Sequence, residues 1–266
     1  MENKTIRFNN RIISYGVTGI GYPVVLLHGF GEDSTIWENQ IEALKRNYFL
    51  ITPNIPGSGS SELTDDVSME GIAEIVKLIT DAEEVESFIL IGHSMGGYAT
   101  LAFVEKYSYL LKGFGLFHSS AYADSEEKKT TRRKGIAFIQ EHGSNEFLKT
   151  TTPNLFSDYT KENNPEMVSY FIKHLPDFSK PALIEYYEAM IARPDRTNVL
   201  KKTDLPVLFI IGEQDIAVPF EDSLKQSTLP AASNITILKN SGHMGMLEES
   251  KKSNQAIITY LEDVLN

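Results

Sequence analysis

Ser94 stands between glycines in Gly92-His93-Ser94-Met95-Gly96, where an apolar run rich in Ile, Leu and Phe gives way to a stretch with helical spacing. A serine hydroxyl is a poor nucleophile until a neighbouring base takes its proton. It must also project clear of the backbone, which a sharp strand-to-helix turn achieves by straining the serine. Side chains two residues before and after would collide with adjacent elements, so glycine is the residue that fits at 92 and 96. The helix that follows aims its first free N–H groups back at the serine. The chemistry this suits is attack on a carbonyl carbon. A second glycine stretch, His28-Gly29-Phe30-Gly31, follows an earlier strand pattern. Fixed backbone donors in such a loop stabilise the negative oxygen that develops during the attack.

Six histidines compete for the role of base. His28 and His93 lie in glycine-bearing turns, His118 ends a strand pattern, His142 and His174 fall in a helical region, and His243 follows the last strand pattern. The absence of cysteine excludes disulfides, thiolate metal sites and a cysteine nucleophile. No His-x₃-His or carboxylate cluster has ligand spacing, and Gly57-x-Gly59 lacks the third glycine of a dinucleotide fingerprint. Neither a metal nor another cofactor is expected.

The elements that must hold these groups alternate. "KTIRFNN" and "RIISYGV" read as strands about a tight Asn9-Asn10 turn, and "YPVVLLHG" as a strand buried on both faces. Thr35-Ile36-Trp37-Glu38 resembles a capping box opening a helix to about Arg46, followed by the strand "YFLITPNIPG". Ser68 caps a helix with Ile72, Ile75, Val76 and Ile79 on one face. "SFILIGHS", "LKGFGLFHSS", "LPVLFIIGEQD" and "ASNITILKNSGH" are further strands, and "SNQAIITYLEDVL" closes as a helix. Strands alternating with helices predict an α/β domain, a mostly parallel sheet covered on both faces. Residues 120–200 break the rhythm with helical patterns only, such as "KPALIEYYEAMIA" after Ser179, and are expected to form a helical cap inserted into a core of 1–119 and 201–266.

Lys and Arg total 25 against 36 Asp and Glu, a net charge of −11 that repels phosphate backbones. The basic cluster Lys128-Lys129 and Arg132-Arg133-Lys134 follows Glu126-Glu127 and reads as a solvated helix face, so no nucleic-acid partner is expected. No apolar run reaches membrane-spanning length, and the first ten residues lack a signal-peptide core. A cytoplasmic protein with no membrane partner is the expectation.

With these motifs the chain resembles the α/β-hydrolase superfamily, in its serine esterase, enol-lactonase and carbon–carbon hydrolase branches. In that family the nucleophile, acid and base follow one another in chain order. Carried over, the resemblance implies Ser94 as nucleophile, Asp215 in "FIIGEQD" as acid and His243 in "NSGHMG" as base. Asp124, shortly after "GLFHSS", is the alternative acid. The family's oxyanion donors fall on the N–H groups of Phe30 and Met95, with His28 a hydrogen-bonded spacer. Where the family commonly has Asp in the loop "NIPGSGSS", this chain has Asn54, which keeps an acceptor and loses a charge.

The implied activity is hydrolysis of a small or medium carboxylic ester or lactone through an acyl-enzyme, the partner being a small-molecule acyl substrate. An acyltransferase or a carbon–carbon bond hydrolase using the same three residues, or a ligand sensor that barely turns over, are alternatives. Phe138, Phe147, Tyr186 and Met190 are the expected pocket residues, with Phe156, Phe171, Phe178 and Tyr187 as further apolar candidates. Asp33 and Trp37 read as structural.

Overall fold

Asn9 and Asn10 adopt φ of 48° and 65°, the left-handed geometry that lets a two-residue turn join β1 (Glu2–Phe8) to β2 (Arg11–Thr18) as an antiparallel hairpin. The computed structural model describes residues 1–266. Six further strands complete one sheet: β3 (Tyr22–Leu27), β4 (Tyr48–Pro53), β5 (Phe88–His93), β6 (Leu111–Phe117), β7 (Val207–Gly212) and β8 (Ser233–Leu238). Their order is β1-β2-β4-β3-β5-β6-β7-β8, antiparallel as far as β4 and parallel from there on.

The central strands are apolar along most of their length because both faces are covered. Along β3, Val24 and Leu26 enter the core on one side of the sheet, while Val25 and Leu27 enter the core on the other. Helices α1 (Glu38–Leu44) and α12 (Ser250–Leu265) cover the first side; α2 (Met69–Ala82) and α3 (Met95–Tyr107) cover the second. Edge strand β8 instead alternates, and Ile235 and Ile237 are exposed. The entry to α1 differs from the capping box expected at Thr35. A 3₁₀ turn, Ser34–Trp37, precedes α1, and its cap is Asp33, whose carboxylate accepts from Thr35 N–H. Asp bonds a free first-turn N–H more readily than Thr.

Between β6 and β7 the chain forms only helices: α4 (Glu126–His142), α5 (Ser144–Thr151), α6 (Asp158–Asn163), α7 (Pro165–Lys173), α8 (Lys180–Ala192) and α9 (Thr197–Lys202). Ser179 caps α8 by accepting from Ala182 N–H. The segment closes on itself where Arg196 N–H donates to Ala121 C=O at 2.7 Å. Beyond β7 come α10 (Phe220–Ser227) and, after β8, α11 (Gly245–Glu248). No helix is long and apolar enough to cross a membrane.

Candidate active site

Ser94 sits at the junction of β5 and α3 with φ 50° and ψ −114°, a conformation that costs a non-glycine residue about 1–3 kcal/mol. The crowding behind the bend accounts for the glycines. A Cβ on Gly92 would lie 2.3 Å from Gly96 C=O, and one on Gly96 would lie 2.4 Å from Leu27 C=O. The bend is held from the neighbouring strand: Ser94 N–H donates to Phe117 C=O at 3.0 Å, and the Ser119 hydroxyl donates to Ser94 C=O at 2.7 Å.

His243, in the loop after β8, places Nε2 2.8 Å from Ser94 Oγ. Its Nδ1 lies 2.7 Å from Asp215 Oδ2. A carboxylate accepts only, so Nδ1 carries the proton and Nε2 presents its lone pair to the serine hydroxyl. Asp215 follows β7, and its other oxygen accepts from the N–H groups of Ala217 and Val218 at 2.8 and 2.9 Å. Burial alone would raise the Asp215 pKa, but His243, His118 and the Val218 N–H together hold it below the ordinary aspartate value. Glu213, two residues earlier, is exposed.

Phe30 and Met95 N–H groups find no acceptor within the protein, and the Phe30 and Ser94 side chains border the same cavity. Donors left open beside a nucleophile suit an incoming oxyanion. His28 donates from Nδ1 to Gly29 C=O at 2.9 Å, while Nε2 accepts from Ile55 N–H at 3.0 Å. Asn54 accepts from Ser34 N–H and donates to the Ser14 hydroxyl, both at 2.9 Å. In the second bond an aspartate could not donate.

Two supports escaped the sequence reading. Buried His93 faces two acceptors, Glu32 Oε2 at 2.9 Å and His243 C=O at 3.0 Å. Meeting both requires a proton on each ring nitrogen, hence an imidazolium paired with the Glu32 carboxylate. Burial opposes the charge, yet Glu32 raises the His93 pKa above its ordinary value. Glu32 also accepts from Gly29 N–H at 2.7 Å, so one pair ties the Phe30 loop, the Ser94 strand and the His243 loop together. The only hint was a carboxylate directly after the glycine motif. The second support is Leu155, whose C=O accepts from His243 N–H at 2.7 Å, so the helical segment braces the His243 loop.

A family model described as alpha/beta hydrolase fold matches residues 22–116. A thermophilic esterase from Thermogutta terrifontis, solved with malate bound, superposes with a TM-score of 0.91 at 27% identity, over 99% of each chain. The chain has the α/β-hydrolase fold. It is similar over 91% of its length to 3-oxoadipate enol-lactonase 1 of Acinetobacter baylyi, at 22% identity over 89% of that enzyme. Similarity to the AB hydrolase superfamily protein YisY of Bacillus subtilis is 25% identity, over 91% of this chain and 92% of that protein.

Within this fold a cavity of about 770 Å³ opens on Ser94 and His243. Of the expected pocket residues only Met190 lines it, with Tyr187 from the wider set, joined by Phe30, Leu155 and Val218. Phe138, Phe147 and Tyr186 do not. Phe147 on α5 and Tyr186 on α8 are buried, Tyr186 donating to Pro56 C=O at 2.6 Å, while Phe138 packs on His142 and Phe147. On one helix, neighbouring aromatics point in different directions, so Tyr187 faces the cavity and Tyr186 does not. Asp124 borders the cavity but is held by Arg132 and Arg193, whose charges keep its carboxyl below the ordinary value despite burial. The basic cluster of α4 is not wholly solvated either: Lys128 and Arg132, four residues apart, turn to the cavity wall. A further cavity of about 550 Å³, against α3 and α9, contains none of these groups.

Proposed function

We propose that this α/β hydrolase cleaves a carboxylic ester or lactone of small to medium acyl size through an acyl-enzyme. The observation that carries the reading is the continuous hydrogen-bonded chain from Ser94 through His243 to Asp215, at 2.8 and 2.7 Å. His243 takes the serine proton as Oγ attacks the carbonyl carbon, and Asp215 holds the ring and stabilises the imidazolium. The Phe30 and Met95 N–H groups take the oxyanion. His243 then returns the proton to the leaving alcohol, and water repeats the sequence to release the acid. Residues 120–200 act as a cap over a core of 1–119 and 201–266, and the setting is cytoplasmic. The esterase and enol-lactonase among its relatives support this reaction class.

The test is a fluorophosphonate label combined with a screen of 4-nitrophenyl esters of increasing acyl length. Labelling at Ser94 with saturable ester turnover is expected. An unlabelled Ser94 in folded protein removes the proposal. Labelling without ester turnover, but with cleavage of a vinylogous diketone, turns it towards carbon–carbon hydrolysis.

A further inference from the structure

The cavity facing Ser94 has a wall whose buried charges run against the character of the chain. Overall the protein carries −11. Yet Lys128, Arg132 and Arg193 meet a single buried carboxylate there, Asp124. The Arg132 and Arg193 side chains are only 12% and 4% exposed. Lys128 Nζ has a neutral partner, Ala217 C=O at 2.8 Å. The wall's other acidic side chains away from His93, Glu127 and Asp222, stand at the solvent rim, the Asp222 side chain 47% exposed, where water screens them. One cation is balanced; the rest are not.

A structural role accounts for part of this cluster. Arg193 donates to Met190 C=O at 2.7 Å and Tyr122 C=O at 3.0 Å, and bonds Asp124 at 2.9 Å, so its guanidinium is committed to holding the cap. Arg132 is different, because its only hydrogen-bond partner in the protein is Asp124, its other contact being the face of the Tyr187 ring at 5.4 Å. Tyr98 is different again. Its ring lies under the Arg193 guanidinium at 3.8 Å and the residue lines the cavity; its hydroxyl makes no hydrogen bond within the protein and is not sealed in as the unpaired Trp37 Nε1 is, so it is open to that cavity. Tyr98 lies one turn along α3 from Ser94 and therefore on the same helix face. Burial would raise the phenol pKa, but Arg193, Lys128 and Arg132 bring it below the ordinary tyrosine value, the sign of a positive local field.

We propose that this wall is a recognition subsite for a carboxylate borne by the substrate, with the Arg132 guanidinium and the Tyr98 hydroxyl as its donors. Arg193 and Lys128 supply the surrounding field. The inference rests on the hydrolase reading and narrows it to esters or lactones that carry a free acid group. A carboxylate accepts several hydrogen bonds at once and matches a planar guanidinium, whereas a neutral chain leaves the Tyr98 hydroxyl unpaired and the Arg132 guanidinium with Asp124 alone.

The test compares mono-4-nitrophenyl adipate with 4-nitrophenyl hexanoate, and 4-carboxyphenyl butyrate with phenyl butyrate, after subtracting uncatalysed hydrolysis. The first pair places the acid on the acyl side, the second on the leaving group. A kcat/KM advantage of roughly tenfold or more for the acid-bearing member of either pair is expected, the size of one charge-assisted hydrogen bond. The advantage shrinks in Tyr98→Phe, which keeps the ring over Arg193, and in Arg132→Met. Thermal denaturation with adipate or dimethyl adipate reads binding without turnover: adipate raises Tm in the unaltered protein and less in Arg132→Met. Absence of the kinetic advantage together with absence of an adipate-specific Tm shift overturns the subsite. If esters of both kinds turn over equally, the hydrolase reading survives and only the subsite falls. If no ester turns over but adipate still raises Tm, the subsite stands and the hydrolase reading falls.

Discussion

At the scale of single residues, the proposed reaction depends on where two protons lie. The bond from His243 Nδ1 to Asp215 leaves Nε2 free to accept from Ser94 Oγ, and deleting either end of that relay removes its purpose. Ser94→Ala is expected to lower kcat roughly 10⁶-fold, with circular dichroism and Tm preserved; near-normal turnover excludes Ser94 as nucleophile. The second proton belongs to His93. Because both its ring nitrogens face acceptors, two N–H protons are expected there at pH 7, and ¹⁵N imidazole spectra report them directly. A spectrum showing one bare nitrogen at His93 contradicts the Glu32–His93 ion pair.

At the scale of elements, the turn between β5 and α3 is the part least tolerant of change. Gly96→Ala drives a Cβ to 2.4 Å from the Leu27 carbonyl, a backbone atom that cannot rotate away. A loss of at least about 2 kcal/mol in urea unfolding is expected, together with loss of ester turnover as Ser94 shifts. An unchanged unfolding midpoint would mean that β3 and α3 separate at little cost. Helix α8 offers a milder case. It carries Met190 and Tyr187 to the cavity, and its first turn is capped by Ser179. Ser179→Ala is expected to cost about 1 kcal/mol and to raise KM for ester substrates more than it lowers kcat. A kcat loss with unchanged KM would place α8 in the chemistry rather than in substrate contact.

Across the whole molecule, buried ionisable groups couple folding to pH. His28 and His118 are pressed below the ordinary histidine value by burial, so they gain protons on unfolding, and stability falls as the pH drops below about 6.5. His93 is raised by Glu32 against its burial and runs the other way, its contribution complete below about 6.5 and lost as the pH rises through its folded value. Glu32, Asp124 and Asp215 are each held low by a cationic or imidazole partner despite burial, so their contribution is present above about pH 4 and lost below it. Tm is therefore expected to fall modestly from pH 7 to pH 5, two histidines outweighing one, and steeply below pH 4. A Tm that is level from pH 7 to pH 5 contradicts a neutral His28 and His118.

The groups that act through local spacing were legible in the chain itself. Glycines flanking Ser94, strands apolar along most of their length, and Ser68 and Ser179 before helical patterns report backbone geometry within a few residues, which local sterics and hydrogen bonding determine. The cavity wall was not legible in this way. Phe147 and Tyr186 have the composition of pocket residues but are buried without lining the cavity, while Lys128 and Arg132 have that of a solvated face but turn inward. Glu32 and His93 lie 61 positions apart, and Leu155 and His243 pair through the backbone across 88 residues. Which side of a helix meets which loop depends on how distant segments pack. Only the tertiary structure decided that, because the energy of each such contact belongs to both partners and neither stretch of sequence carries it alone.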